Sequence, residues 1–170
     1  MENRNRIELI RQEVNTFLQN QQDPENRREG YVHLYGVAQN CTLLGIRRGL
    51  DIELCTIIGL LHDVYTYKYN YVKEHAILGA TEAENLLRKL DVFSEEEIEI
   101  IKNAITNHSN KKELHDEYSE LIKDADLLQN FLYNLSFNVK HKKRIKKTLK
   151  SVGIKMKFNK DNPVKEKAKK

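Results

Sequence analysis

The chain has 170 residues, enough for one domain and for a core that removes roughly 70% of the unfolded chain's surface from water. Apolar residues make up 39% and charged residues 32%, with only 7 Gly and 2 Pro, which argues against a turn-rich β fold and for long helices. The net charge of +4 conceals two regions: residues 139–170 hold 14 basic and 2 acidic side chains, and the rest of the chain holds 15 basic and 23 acidic ones.

Ile7, Ile10, Val14, Phe17 and Leu18 recur at helical spacing between Arg6 and Gln19, and Asp23-Pro24 ends or restarts that helix. A second helix is expected from about Gly30 to Arg48, with Leu34, Val37, Cys41 and Leu44 along one side and Gly49 closing it. Asp51 is an N-cap for a third helix, apolar nearly all round from Ile52 to Leu61 and therefore central. That helix ends in His62-Asp63. Tyr65, Tyr67, Tyr69 and Tyr71 then alternate without a second strand to pair with, which reads as a loop beside a site. A helix from His75 to Leu90 follows, and Ser94 with Glu97 forms a capping box opening the helix Glu95 to His108. Tyr118 to Tyr133 is expected to be helical. Ile145, Leu149, Val152 and Met156 carry a helical spacing through the lysine-rich end, where Asp161-Asn162-Pro163 and the last lysines read as frayed.

Cys41 and Cys55 lie in apolar stretches and form no CxxC pair, so they read as buried reduced thiols in a reducing compartment. No apolar signal segment opens the chain, and stretches such as Ile57 to Leu61 are too short to span a bilayer. A cytoplasmic location without a transmembrane segment is the expectation.

Four of the six histidines, His33, His62, His75 and His108, occur within or at the end of helices with strong apolar faces, as do Asp63 and Asp126. A buried imidazole or carboxylate is costly unless paired or bound to a metal. Taken alone, His33 reads as a hydrogen-bonded core histidine and Asp126 as a surface acid. The pair His62-Asp63 resists that reading, because it ends an almost wholly apolar helix. Asp124 is turned roughly 200° from Asp126, so the two acids do not share a face. Mixed imidazole and carboxylate donors suit Mn, Fe, Co, Ni or Zn better than Ca.

The order His33, His62-Asp63, Asp126 resembles the HD-domain superfamily of metal-dependent phosphohydrolases, in its small stand-alone bacterial form. The stretches that carry the resemblance are His33-Leu34-Tyr35-Gly36-Val37, Gly59-Leu60-Leu61-His62-Asp63-Val64, His75-Ala76-Ile77-Leu78-Gly79-Ala80, Asn107-His108-Ser109-Asn110-Lys111 and Lys123-Asp124-Ala125-Asp126-Leu127-Leu128. The resemblance covers roughly Glu25 to Asn138. It implies an all-α, compact HD-domain-like helical bundle over residues 1–138, followed by a basic C-terminal helix and tail over 139–170. It implies His33, His62, Asp63 and Asp126 as metal ligands, and His75 and His108 as a second metal site or a phosphate pocket. Asp63 would bridge two ions, and Asp63 and His108 would be the catalytic pair, His108 donating a proton or hydrogen bond to phosphate. Lys111, Lys73 and Lys68 are candidate phosphate contacts, and Tyr65 is the substrate-binding candidate of the tyrosine run. The cofactor expected is a divalent transition metal, one ion or two. The acid that some members carry shortly after the doublet is missing, since Glu74 is the first after Asp63, which leaves the general base open.

The expected function is hydrolysis of a phosphoester or phosphoanhydride of a nucleotide or other small phosphorylated metabolite. A non-catalytic, metal-holding module that binds or senses nucleotides or nucleic acid is the alternative, motivated by the missing acid. The run His141-Lys142-Lys143-Arg144-Ile145-Lys146-Lys147 would suit nucleic acid in that case, or would be the solvated face of a last bundle helix. A dinuclear-iron oxygenase is the third reading, because six ligand-type residues suffice for two irons.

Overall fold

The computed structural model describes residues 5–134 and 141–155. Met156, Phe158, Asp161 to Pro163 and the closing lysines therefore lie outside the described residues. Eight helices and no strand occur among the described residues: α1 Arg6–Asn20, α2 Pro24–Arg48, α3 Ile52–Leu61, α4 Val64–Tyr69, α5 His75–Leu90, α6 Glu95–Asn107, α7 Glu117–Asn134 and α8 Lys142–Ser151. The all-α bundle expected from the sequence is what forms.

Helix boundaries follow local chemistry. Asp23 accepts hydrogen bonds from the amides of Glu25 and Asn26, with Pro24 in the first turn. That cap starts α2 six residues before Gly30, where the sequence reading placed it. Proline costs nothing there, since its missing N–H would have had no partner. Gly49 closes α2 with φ of 71°, a left-handed conformation that glycine adopts without strain. Asp51 caps α3 through the amides of Glu53 and Leu54, and Ser94 with Glu97 makes the reciprocal box that opens α6. Each such cap contributes about 1 kcal/mol.

The tyrosine run is helical from Tyr65 to Tyr69, where a loop was expected, and only Tyr71 lies beyond the helix. In α4, Tyr65 and Tyr69 are one turn apart, and their rings pack at 4.7 Å. Tyr67 leaves the other side of the helix, its ring 5.8 Å from that of His33. Alternation along six residues thus resolved into two faces of a short helix, because tertiary contacts on both sides outweighed intrinsic preference.

Every residue of α3 from Leu54 to Leu61 is buried, and α1, α2, α6 and α7 all pack on it. Such close enclosure needs small residues at the crossing. A Cβ placed on Gly59 would stand 2.5 Å from the Cα of Ala38 and 2.8 Å from its nitrogen, so α2 and α3 meet backbone to backbone. Arg6 ties the periphery together, binding Glu53 at 2.5 Å and Glu97 at 2.9 Å while lying over the Phe93 ring. The last helix packs on α7 through Ile145 and Leu149, which join Leu127, Leu128 and Phe131 in a second apolar cluster.

Gly59→Ala forces two main chains apart rather than displacing a flexible side chain. The expected cost is about 3 kcal/mol, the upper end for overpacking, read as a lower midpoint in urea or thermal unfolding. An unchanged midpoint would show that the two helices do not approach this closely.

Candidate metal centre

Five helices deliver the polar residues to one place. His33 sits in the middle of α2, His62 caps the C-terminus of α3, and Asp63 follows where the chain breaks into α4. His75 opens α5, His108 caps α6, and Asp126 faces inward from the middle of α7. His62 is fully buried, and His108 and Asp126 are 2% and 7% exposed.

Asp63 is the hub. Its Oδ2 lies 3.5 Å from Nε2 of His33 and 3.4 Å from Nε2 of His62. Its Oδ1 lies 3.4 Å from Nε2 of His75 and 3.2 Å from Nε2 of His108. Within each pair the imidazole nitrogens are 3.2 Å apart. The second ring nitrogens explain why three of these four point inward. Nδ1 of His62 is 2.8 Å from the Gly59 carbonyl, that of His75 is 2.7 Å from the Val72 carbonyl, and that of His108 is 2.6 Å from the Ile105 carbonyl. A carbonyl only accepts, so Nδ1 carries the hydrogen, and it is Nε2 of the neutral tautomer that offers a lone pair towards Asp63.

Two lone pairs and a carboxylate oxygen converging in a buried space repel one another unless a cation lies between them. Asp63 Oδ1 is buried and has no hydrogen-bond donor. Donor atoms about 2.1 Å from a shared ion stand roughly 3.0–3.4 Å from each other, close to the spacings found here. His33, His62 and Asp63 form one group that could hold a metal ion, and Asp63, His75 and His108 form another. Asp126 belongs to neither group, although its Oδ1 is 3.5 Å from Nε2 of His33. Its carboxylate is engaged by Lys111 Nζ at 2.7 Å and by Asn130 Nδ2 at 2.7 Å.

Electrostatics favour positive charge at the hub. Burial opposes ionisation of Asp63, but the surrounding imidazoles of His62, His108 and His33 outweigh it and hold the carboxyl well below its usual range. Burial likewise opposes ionisation of Asp126, and Lys111, His62 and His33 overcome it. Burial pushes the His62 imidazole down, whereas Asp63 and Asp126 raise His33 against the same burial. Burial and the nearby carboxylates of Asp63, Glu29 and Asp126 push the Tyr67 phenol up, so it stays a hydrogen-bond donor.

The other sequence candidates spread out. Lys111 reaches the centre, its Nζ also 3.2 Å from the His108 carbonyl. Lys73 is exposed before α5, and Lys68 pairs with Glu82. Tyr65 packs against Tyr69 and Tyr71, while Tyr67 borders the site. Glu74 is exposed and caps α5. A cleft of about 190 Å³ opens beside His33, lined by Glu29, Val32, Tyr67, Gln129, Asn130, Tyr133 and Asn134. Tyr67 belongs to the tyrosine run that the sequence placed beside a site; sequence reasoning missed the other lining residues, and only the spacing of Glu29 one turn before His33 signalled any of them.

It also missed Lys123, whose fully buried ammonium donates to the Glu113 carbonyl at 3.0 Å, Nδ1 of His115 at 2.6 Å and Glu120 at 2.8 Å. That latch holds the segment leading away from Lys111. A lysine among Leu121, Ile122 and Ala125 was the available signal.

The raised His33 makes metal binding pH-dependent. Without metal, its proton stabilises the fold below the unfolded value near 6.5, and that contribution is lost as pH rises through the higher folded value. A metal must displace the same proton, so divalent affinity rises with pH across that window. Titration calorimetry in buffers of different ionisation heat should therefore reveal proton release that fades as pH rises, absent in His33→Gln. Heats independent of the buffer would contradict this.

The HD-domain family model matches residues 30–130, a span that holds every residue of the centre. No curated protein and no solved structure matches the chain. HD domains bind divalent metals and are typically metal-dependent hydrolases, which agrees with two His/Asp groups able to hold an ion. With more than half of its length matched and the histidine–aspartate doublet at the hub of the bundle, this chain belongs to the HD-domain family.

Proposed function

We propose that the protein is a metal-dependent phosphohydrolase that cleaves a phosphoester or phosphoanhydride of a nucleotide or other small phosphorylated metabolite. The observation that carries this reading is the Asp63 carboxylate standing between two pairs of imidazole lone pairs. In this reading His33, His62 and Asp63 hold one divalent ion, Asp126 completes its surroundings, and Asp63, His75 and His108 hold a second. Their imidazole and carboxylate donors suit manganese, iron, cobalt, nickel or zinc.

Bound metal supplies Lewis acidity, lowering the pKa of a water and neutralising charge on a phosphoryl oxygen. The chain's own residues do the positioning. Lys111 is the half-buried cation that reaches the hub, and it can exchange its bond with Asp126 for one with a phosphate oxygen. The Tyr67 hydroxyl donates from the cleft side. His108, with Nδ1–H committed to the Ile105 carbonyl, acts as a ligand in preference to a proton donor. Asp63 and Asp126 are the carboxylates at the centre, and Glu74 is too exposed to serve as a base there. Lys73 and Tyr65 have no geometric support for substrate contact.

Protein loaded with manganese or cobalt should release phosphate from members of a nucleotide and sugar-phosphate panel. Elemental analysis should give two ions per chain, about one after His75→Ala and none after Asp63→Asn, which abolishes turnover. Lys111→Met should retain metal and lower kcat/KM roughly 10²-fold, the scale of losing one preorganised charge contact. Metal-loaded protein that releases phosphate from no compound would refute the assignment.

A further inference from the structure

We propose that the cleft beside His33 receives the uncharged, hydroxyl- or amino-bearing leaving group of a phosphomonoester, a nucleoside or a sugar, and disfavours substrates that extend further phosphates into it. This rests on the phosphohydrolase reading above.

The cleft shares His33 with the metal centre, so whatever occupies it lies next to the reacting phosphate. At about 190 Å³ it is smaller than the pockets that bury drug-sized ligands and suits one small group. Its chemistry is lopsided. No lysine or arginine lines it among the described residues, and Glu29 brings a carboxylate. The neighbouring arginines of α2 are engaged elsewhere, Arg28 with Glu25 and Arg27 with the Gln21 carbonyl.

The amides of the cleft present acceptors. Nδ2 of Asn130 is bonded to the carbonyl and Oδ1 of Asp126, at 3.0 and 2.7 Å, which leaves the side-chain oxygen to accept. Nδ2 of Asn134 gives one of its two hydrogens to the Asn130 carbonyl at 3.2 Å, and its side-chain oxygen is likewise left to accept. Gln129 is occupied at both ends, by the Val32 carbonyl and by Asn40. Each amide orientation follows from its neighbours, because carbonyls and carboxylates accept only.

An ionised phosphate brings acceptors and negative charge, so a second or third phosphate here would face Glu29 and two amide oxygens with no cation to compensate. Hydroxyl and amino groups bring donors, and the rings of Tyr67 and Tyr133 offer apolar faces to a base or sugar. Lys111, the cation at the centre, bonds Asp126 and the His108 carbonyl and is absent from the cleft lining. The reacting phosphate therefore has its cation at the hub, and the leaving group has its hydrogen-bond acceptors in the cleft.

The test compares kcat/KM of the manganese-loaded full chain for nucleoside monophosphates, the matching triphosphates and hexose monophosphates. Monophosphates should exceed triphosphates by at least ~10-fold, the scale expected from one uncompensated charge contact. Glu29→Gln should narrow that ratio several-fold, and Glu29→Lys should erase or reverse it. Glu29 is exposed, so both variants should fold. Independently of turnover, calorimetry should show saturable binding of the free nucleoside or sugar, weakened about tenfold in Tyr67→Leu, and whichever binds identifies the leaving-group class. A wild-type preference for triphosphates, or a ratio unmoved by Glu29→Lys, would overturn the inference and leave the hydrolase reading standing. Phosphate release from no compound would remove both.

Discussion

The position of one carboxylate governs this molecule. Asp63 faces four imidazole nitrogens, two on each oxygen, and three of those rings have their outer nitrogen anchored to a main-chain carbonyl. That arrangement concentrates electron pairs in a space from which water is largely removed, and only positive charge relieves it. Protons can supply the charge in part, as the raised His33 shows, and a divalent ion supplies it more completely. The surrounding bundle is the framework that holds these repelling groups together.

The framework explains features that would otherwise be unrelated. Helix α3 must be buried on every side because it carries the doublet to the centre, and Gly59 lets it lie against α2 while its carbonyl orients His62. Helix α7 uses its two aspartates in opposite directions. Asp126 turns to the centre and meets Lys111, while Asp124 pairs with Arg48 and with Arg144 of α8. Polar bonds from Arg144 and Arg47, together with Ile145 and Leu149, fasten the basic helix to the bundle. Lysines 143, 147 and 150 remain on its outer, exposed side.

Around the hub, chemistry is divided by direction. The Lys111 side carries a cation on a segment that Lys123 latches to α7 from beneath. The His33 side carries tyrosines, amides and a carboxylate. Family membership accounts for the metal-binding hub, and these two flanks border the space beside it.

Most helices, the central place of α3 and the doublet His62-Asp63 were legible in the sequence, because periodicity, caps and a charged pair ending an apolar run are local signals, whereas His33, His75, His108 and Asp126 joined them only through the family resemblance. The opposite facing of Asp124 and Asp126 could also be read, since 100° per residue decides it without any partner. Pro24 was visible as an interruption, but its role in the first turn of α2 depended on where Asp23 pointed. Tertiary structure alone decided that the tyrosine run would coil, that Tyr67 and not Tyr65 would reach His33, and that Asp126 would be held by Lys111 and Asn130 outside both metal-sized groups. It also decided that Glu29 would share a cleft with Gln129, Asn130 and Asn134 from the far end of the chain. Such pairings join residues a hundred positions apart, and a pattern within one helix holds no record of which other helix will face it.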